Sequence, residues 1–393
     1  MGEHGHYKRL RPLIAGLVRS GLDTTVFTDA AFASDVQTRG ARFRDLFEGR
    51  PLDAADSESI PIPARFVSFA GRFADDIVRE VARLRPALVV HDTFAVIGAV
   101  VAHHLGVPRV NVCAGHNLAP APTLAALARD PRVRISDPCR GAVESLRTRH
   151  GIPDASPFSY VALLSSELNL YCEPPEFLLE HEREAFAPIE FFGSLLPDPV
   201  EPDDAAAFAG SHAASPRFYA SFGTVVWRYY REAALSALAA FSDAVASMPG
   251  ARGLIGLGGR GTSRDVAMLA RPNVRVEDYV EQWRVLATTD AMLTHHGLNS
   301  THEAVWQRVP MLGYPFFSDQ PGLAARCRDL GVSIPLSEEP RGAVAPETVR
   351  AALERAGSLR RRLVEARTWE QRVMERRPEV LARIAKLAGA AGG

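Results

Sequence analysis

What most restricts the fold of this chain is a pattern that occurs twice. Short apolar, β-branched runs alternate with helix-spaced segments, once before and once after a proline-rich stretch. In the first half, Leu10, Leu13, Ile14, Leu17 and Val18 recur at helical spacing across residues 7–20 and stop at Gly21. Residues 24–28 read as a strand, 87–90 as a buried strand feeding His91-Asp92, 95–105 as a helix and 107–112 as a further strand. In the second half, residues 217–220 enter a Ser221-Phe222-Gly223-Thr224 turn, 233–246 are helical, and 254–257 and 291–294 are strands. Strands separated by helices form parallel sheets with both faces covered, so the chain is predicted to be α/β.

The stretch from Leu195 to Pro202 carries prolines at 197, 199 and 202, which block helix and favour an extended linker. A chain of 393 residues exceeds the roughly 250 that one core sustains. Two domains are therefore expected, residues 1–198 and 199–393. The charged run 359–387 reads as a solvated surface helix on composition alone.

Charge excludes several partners. With 45 Lys and Arg against 46 Asp and Glu, the net charge of -1 supplies no field that gathers nucleic acid or an anionic membrane. Cys113, Cys139, Cys172 and Cys327 form no CxxC pair, which predicts reduced thiols in a cytoplasm and no disulfide framework. No apolar run reaches the ~18 residues of a membrane span, and membrane contact is not expected.

The chemistry is concentrated in one segment, from Asp290 through Trp306, with Val309-Pro310-Met311 and Asp319-Gln320 after it. It reads as strand, tight glycine turn, then a helix opening near Asn299 to Thr301. A helix start after a strand offers unpaired N–H groups and a positive dipole end, which seat phosphate. Ser300 adds a hydroxyl and His295 a donor. Glu303, four residues past Asn299 and on the same helix face, suits a pair of ribose hydroxyls. Asp319 and Gln320 are candidates for sugar hydroxyls.

These residues resemble the C-terminal signature of the UDP-glycosyltransferases and macrolide glycosyltransferases. The matching positions are Tyr279-Val280-Glu281-Gln282, His295-His296-Gly297-Leu298-Asn299-Ser300-Thr301-His302-Glu303, Val309-Pro310-Met311 and Asp319-Gln320. Tyr279 stands where the family has Trp, and Glu281 where it has Pro. The resemblance implies the GT-B fold: two Rossmann-like domains facing across a cleft, with a final helix at about 365–393 crossing back to the first. It implies that Tyr279 stacks on the base and that Val280 and Gln282 meet it. His295, Gly297, Asn299 and Ser300 would face the diphosphate, Ser221 and Thr224 the same group from the other side, Glu303 the ribose, and Asp319 with Gln320 the hexose. The implied function is an inverting, metal-independent hexosyltransferase with no cofactor. Its co-substrate is an NDP-sugar, with UDP-glucose the first donor to consider, and its acceptor a small hydrophobic natural product. A monomer or homodimer is expected.

A hydroxyl nucleophile needs a base, and the family places one in a Gly-His step oriented by an aspartate. His6, after Gly5, and Asp92 are the candidate base and its orienter, by the logic of the His–Asp part of a hydrolase triad. The family has a β-strand before this step, whereas five residues precede His6 here. Lack of that strand would leave two strands without a partner, and the expectation is that the true start lies upstream of Met1.

Other readings stand beside this one. His4 and His6 form an H-x-H pair with no further ligand at a known metal spacing. Gly256-Leu257-Gly258-Gly259-Arg260-Gly261 imitates a dinucleotide fingerprint but has the wrong glycine spacing, which argues against an oxidoreductase. A transferase acting on a lipid or cell-wall precursor would favour a basic, apolar loop, for which Lys8-Arg9-Leu10-Arg11 is the candidate. An impaired nucleotide-sugar binding protein is the remaining alternative. Phe66, Phe69, Phe73, Phe158 and Tyr160 suit either core packing or an acceptor pocket. His103, His104, His116, His150 and His181 are read as structural.

Overall fold

A computed structural model describes residues 4–196 and 215–390. The prolines at 197, 199 and 202, and with them the expected boundary near 198, lie outside the described residues. The chain divides into two compact units: one runs to Ser194 and resumes at Val373, and the other lies between Leu195 and Arg372.

In the first unit, helix α1 (His4–Arg19) leads to strand β1 (Thr25–Thr28), which pairs in parallel with β2 (Arg42–Asp45). Helix α2 (Ala64–Ala82) follows, then β3 (Val89–Asp92), α3 (Val96–Leu105), β4 (Arg109–Cys113), α4 (Asp137–Thr148), β5 (Leu168–Tyr171) and β6 (Ile189–Phe191). Strands β3 to β6 form a four-stranded parallel sheet in sequence order. Strand β5 is buried throughout, because helices cover both faces of such a sheet. The amphipathic helix expected at 7–20 is present, and β3 runs on through His91 and Asp92 instead of ending at Val90.

The two sheets of this unit do not join. Arg42 N–H and Leu46 N–H donate to Thr24 and Thr28 (2.9 Å each), so Thr25 and Phe27 turn their backbone groups to the opposite edge of β1. Val89 N–H donates to Pro108 (3.1 Å) and Thr93 N–H to Val112 (2.9 Å), which turns those of Val90 to the outer edge of β3. Phe27 and Val89 pack against the same apolar cluster, with α2 at its centre. Among the described residues no strand is hydrogen-bonded between β1 and β3.

The second unit holds one six-stranded parallel sheet. Its strands are β7 (Arg217–Ser221), β8 (Arg252–Gly256), β9 (Val274–Glu277), β10 (Ala291–Thr294), β11 (Met311–Gly313) and β12 (Ser333–Pro335), in the spatial order β12-β11-β10-β7-β8-β9. The chain therefore builds outward from β7 in one direction, then returns to β7's other edge with β10. Helices α5 (Arg231–Ala246), α6 (Leu298–Gln307), α7 (Gln320–Asp329) and α8 (Pro346–Arg355) belong to this unit. Packing of α5 and α8 on the sheet buries Phe218, Phe222, Leu238, Phe241, Ile255 and Leu353 in one core.

The last helix, α9 (Arg360–Ala390), begins in the second unit, and its residues from Val373 group with the first. There Arg377 Nε donates to the Phe192 carbonyl (2.8 Å) and Arg383 pairs with Glu190 (2.7 Å). The inner face of α9 carries Leu363, Ala366, Trp369, Val373 and Ile384, all buried. The composition-based reading of a wholly solvated helix is therefore corrected. Its many arginines mask an apolar stripe at helical spacing.

Candidate functional site

In an open parallel sheet, ligands bind beyond the carboxyl ends of the strands where the strand order reverses. That point lies between β7 and β10. The turn after β7 contains Gly223 at φ +67°, and the turn after β10 contains His296 at φ +56° followed by Gly297, which opens α6. His295 is wedged between the two turns. A Cβ on Gly223 would sit 3.0 Å from His295 Nε2, and one on Gly297 2.3 Å from it, so only glycine lets the backbones close on this ring. The N-cap of α6 is Gly297, which has no side chain to cap the first N–H groups of the helix.

Beside the helix start, Gln282 Nε2 donates to Glu303 Oε2 (2.7 Å) and Ser300 Oγ (3.2 Å). Three of the sequence-derived donor residues thus meet, with Glu303 only 2% exposed. Asn299 and Ser300 are half-buried on the first turn of α6. Tyr279 is 64% exposed, the most open of the large apolar side chains among the described residues, with Val280 half-buried next to it. Ser221 is buried at the end of β7, and Thr224 is exposed beyond it. Asp319 is half-buried ahead of α7. Gln320 turns inward, its Oε1 accepting from the Phe316 N–H (2.9 Å), so its amide oxygen braces the backbone after β11.

In the first unit, the Gly5-His6 step lies inside the first turn of α1 and not ahead of it. His6 Nδ1–H donates to Asp92 Oδ2 at 2.9 Å, and Asp92 is 97% enclosed, with its side chain 3% exposed. The other carboxylate oxygen accepts the Phe94 N–H (2.8 Å), and the His6 ring lies 4.6 Å from the Phe94 ring. Burial alone would raise the Asp92 carboxyl. The adjacent His6 and the two hydrogen bonds outweigh it and hold the group below the ordinary carboxylate range. Tyr7 anchors the turn by donating to Asp35 (2.6 Å) and stacking on Phe32 (4.2 Å). A carboxylate on Nδ1 leaves Nε2 as the basic nitrogen of a neutral imidazole.

Sequence reasoning missed two buried pairs. His116 Nδ1 contacts Glu173 Oε1 (2.9 Å) after β4 and β5, and His302 Nδ1 contacts Glu370 Oε1 (2.5 Å) between α6 and α9. Their partners lie 57 and 68 residues apart, so no local spacing announces them. His302 is fully buried. His296 is a packing residue, bonded to Ser333 Oγ (2.9 Å).

Other features resolve as structure. Phe69 and Tyr160 are buried in the α2–α3–α4 core, with Phe73 and Phe158 packed against it, and Phe66 on α2 is buried as well. Lys8-Arg9-Leu10-Arg11 lies within α1, so it is not the loop that a lipid-directed reading wanted. The glycine run after β8 makes a left-handed turn at Gly258 and Gly259, closed by the Gly259 N–H donating to the Asp278 carbonyl (2.7 Å). Among the described residues no group of three or more His, Cys, Asp or Glu side chains is arranged to hold a metal ion, and no helix is long and apolar enough to cross a membrane.

Residues 167–355 match the family described as UDP-glucoronosyl and UDP-glucosyl transferase. Among curated proteins, UDP-glucuronosyltransferase 3A2 of Mus musculus is 31% identical over 202 residues, covering 49% of this chain and 36% of that protein. UDP-glucuronosyltransferase 3A1 of Mus musculus is 33% identical over 168 residues, covering 41% and 31%. This chain thus spans about a third of the length of these curated relatives. Solved structures resemble it over nearly its whole length. The glycotransferase of kitacinnamycin aligns with a TM-score of 0.75 at 21% identity, covering 97% of this chain and 96% of the other. CalG4, the calicheamicin glycosyltransferase, aligns at 0.70 and 21%, covering 98% and 97%. The spinosyn rhamnosyltransferase SpnG, complexed with thymidine diphosphate, aligns at 0.64 and 18%, covering 97% of each. The architecture is accordingly GT-B.

Proposed function

We propose that this chain, which belongs to the UDP-glycosyltransferase family through residues 167–355, transfers a hexose from a nucleoside diphosphate sugar to a hydroxyl of a small hydrophobic acceptor. The observation that carries this reading is the meeting of His295, two glycine turns and the start of α6 at Gly297 at the sheet's switch point, next to the Gln282–Glu303 pair. In this reading the diphosphate lies on the α6 N–H groups, Ser300 and His295, and Glu303 takes the ribose hydroxyls, releasing Gln282 toward the base.

His6 Nε2 accepts the acceptor's hydroxyl proton, the oxygen attacks the anomeric carbon, and the bond from that carbon to the diphosphate breaks. Attack opposite the leaving group inverts the anomeric centre. Asp92 holds the ring proton on Nδ1 beforehand, so that Nε2 is the nitrogen carrying the lone pair, and stabilises the imidazolium afterwards. Charge developing on the departing diphosphate meets donors already in place, so the reaction is expected to run without a metal or other cofactor.

Support for uridine comes from the family match and from Glu303, whose carboxylate suits a ribose with both hydroxyls. The SpnG complex makes thymidine diphosphate the competing nucleotide. The names of the solved neighbours support a natural-product acceptor, and glucose is the first hexose to test. Calorimetry with UDP, dTDP, UDP-glucose and dTDP-glucose, followed by transfer to a panel of polyphenol and polyketide acceptors with and without EDTA, tests the reading. Micromolar binding of one nucleotide and EDTA-resistant transfer are expected; a folded chain that binds none of them overturns it.

A further inference from the structure

Trp227 lies in the short helix Val226–Tyr229, just past the turn that ends β7. Its side chain is 96% enclosed, with 4% exposure, and its indole Nε1 is buried without a hydrogen-bond partner. Folded proteins pair nearly every buried donor, because an unmade bond forfeits the hydration the group had in the unfolded chain. This orphan sits among the turns described above. A Cβ on Gly258 would come 3.3 Å from Trp227 Nε1 and 2.2 Å from the Gly223 carbonyl oxygen, so donor and acceptor line the same side of Gly258 without being bonded. The indole is not free to turn. Arg231 lies over its ring (5.6 Å) and is itself tied to the Arg260 carbonyl (3.1 Å) and Asp265. The mobile partner is the Gly223 peptide, since a glycine at φ +67° passes between backbone regions closed to other residues.

The Gly223 C=O and the Thr224 N–H share one peptide plane and point in opposite directions. Turning the carbonyl toward the indole turns the Thr224 N–H away from it, toward the side of the turn where Thr224 is exposed.

We propose that Trp227 is a positioning residue for the donor: when a diphosphate occupies the end of β7, the Gly223 peptide rotates, its carbonyl accepts the Trp227 indole N–H, and the Thr224 N–H is delivered to a phosphate oxygen. This rests on the functional reading above. It makes a nucleotide's phosphates, and not its base, the trigger.

The chain has four tryptophans, so its indole N–H region holds four resonances, and Trp227→Phe assigns the one in question. Saturating UDP is expected to move that signal downfield, and uridine, which lacks phosphate, to leave it in place. Trp227→Phe is expected to bind UDP about 5- to 20-fold more weakly while melting no lower than the unmodified chain, because in the free state it removes an unpaired donor. A signal that stays put while UDP binds, a signal that uridine moves equally, or a variant with unaltered UDP affinity overturns the proposal. So does a variant that loses stability along with affinity, the signature of packing alone. If neither UDP nor dTDP binds the unmodified chain, the functional reading fails first, and binding measured apart from the indole signal tells the two failures apart.

Discussion

His6 and Asp92, 86 residues apart in sequence, meet at 2.9 Å between Nδ1 and Oδ2, with the aspartate buried and the imidazole at the margin of exposure. A buried carboxylate on Nδ1 fixes the tautomer and holds the ring in one orientation. His6→Ala is expected to abolish transfer and leave donor affinity nearly unchanged. Asp92→Asn, which keeps the shape and loses the charge, should lower kcat by roughly 10²- to 10⁴-fold. Steady-state kinetics beside calorimetry on both variants check this; full transfer by His6→Ala would remove the base from the mechanism.

Glu303 and Gln282 occupy each other before donor arrives. Glu303→Ala should weaken UDP binding by about 10-fold or more, since charge-assisted hydrogen bonds to the ribose are lost. Ser300→Ala should cost less, about 3- to 10-fold, as one neutral hydroxyl is removed. Isothermal titration with UDP orders the two effects, and an inverted order would place the ribose elsewhere.

His302 and Glu370 form a fully enclosed pair between α6 and α9. Removing one partner strands the other in the core. Glu370→Ala should therefore lower unfolding stability by about 3–5 kcal/mol. Urea denaturation gives the number, and a loss under about 1 kcal/mol would mean the pair is dispensable.

His91 sets a pH dependence. Burial, and then the charge of Arg109, push its imidazole down to about 4 from the ordinary 6.5. Arg109 Nη1 approaches His91 Nε2 (3.3 Å), while Nδ1 faces the Asp92 carbonyl (3.0 Å), an arrangement that fits only the neutral ring. Between these two values the unfolded chain binds a proton that the folded chain refuses. The contribution is therefore complete above pH 6.5 and declines toward pH 4, by up to about 3 kcal/mol. Chemical denaturation from pH 7 to 5 should show a steeper fall for the unmodified chain than for His91→Gln; equal slopes would remove His91 as the cause.

Legibility from sequence followed the range of the interactions. The segment from Ala291 to Glu303 could be read as strand, turn and helix because its glycine, its apolar run and its polar face lie within a few turns of each other. Gln282 and Ser300, 18 residues apart, were assigned to one site by resemblance, and their contact shows the same proximity in space. By contrast, Gln320 matched the motif yet spends its amide oxygen on the Phe316 backbone, a use that no spacing reveals. The stripe inside α9 was hidden because composition averages over its arginine-rich outer face.

Local order, then, was written in the chain itself: which stretches are strands or helices, where glycine lets the backbone turn, and that the whole is α/β. Those choices depend on steric and hydrogen-bonding terms that act over a few residues. Tertiary structure alone decided which strands are neighbours, that β10 returns to the free edge of β7 and so creates the switch point, and that Trp227 is left with an enclosed, unmatched N–H. Such features come from packing elements that are far apart along the chain, where each contact depends on all the others being satisfied at once.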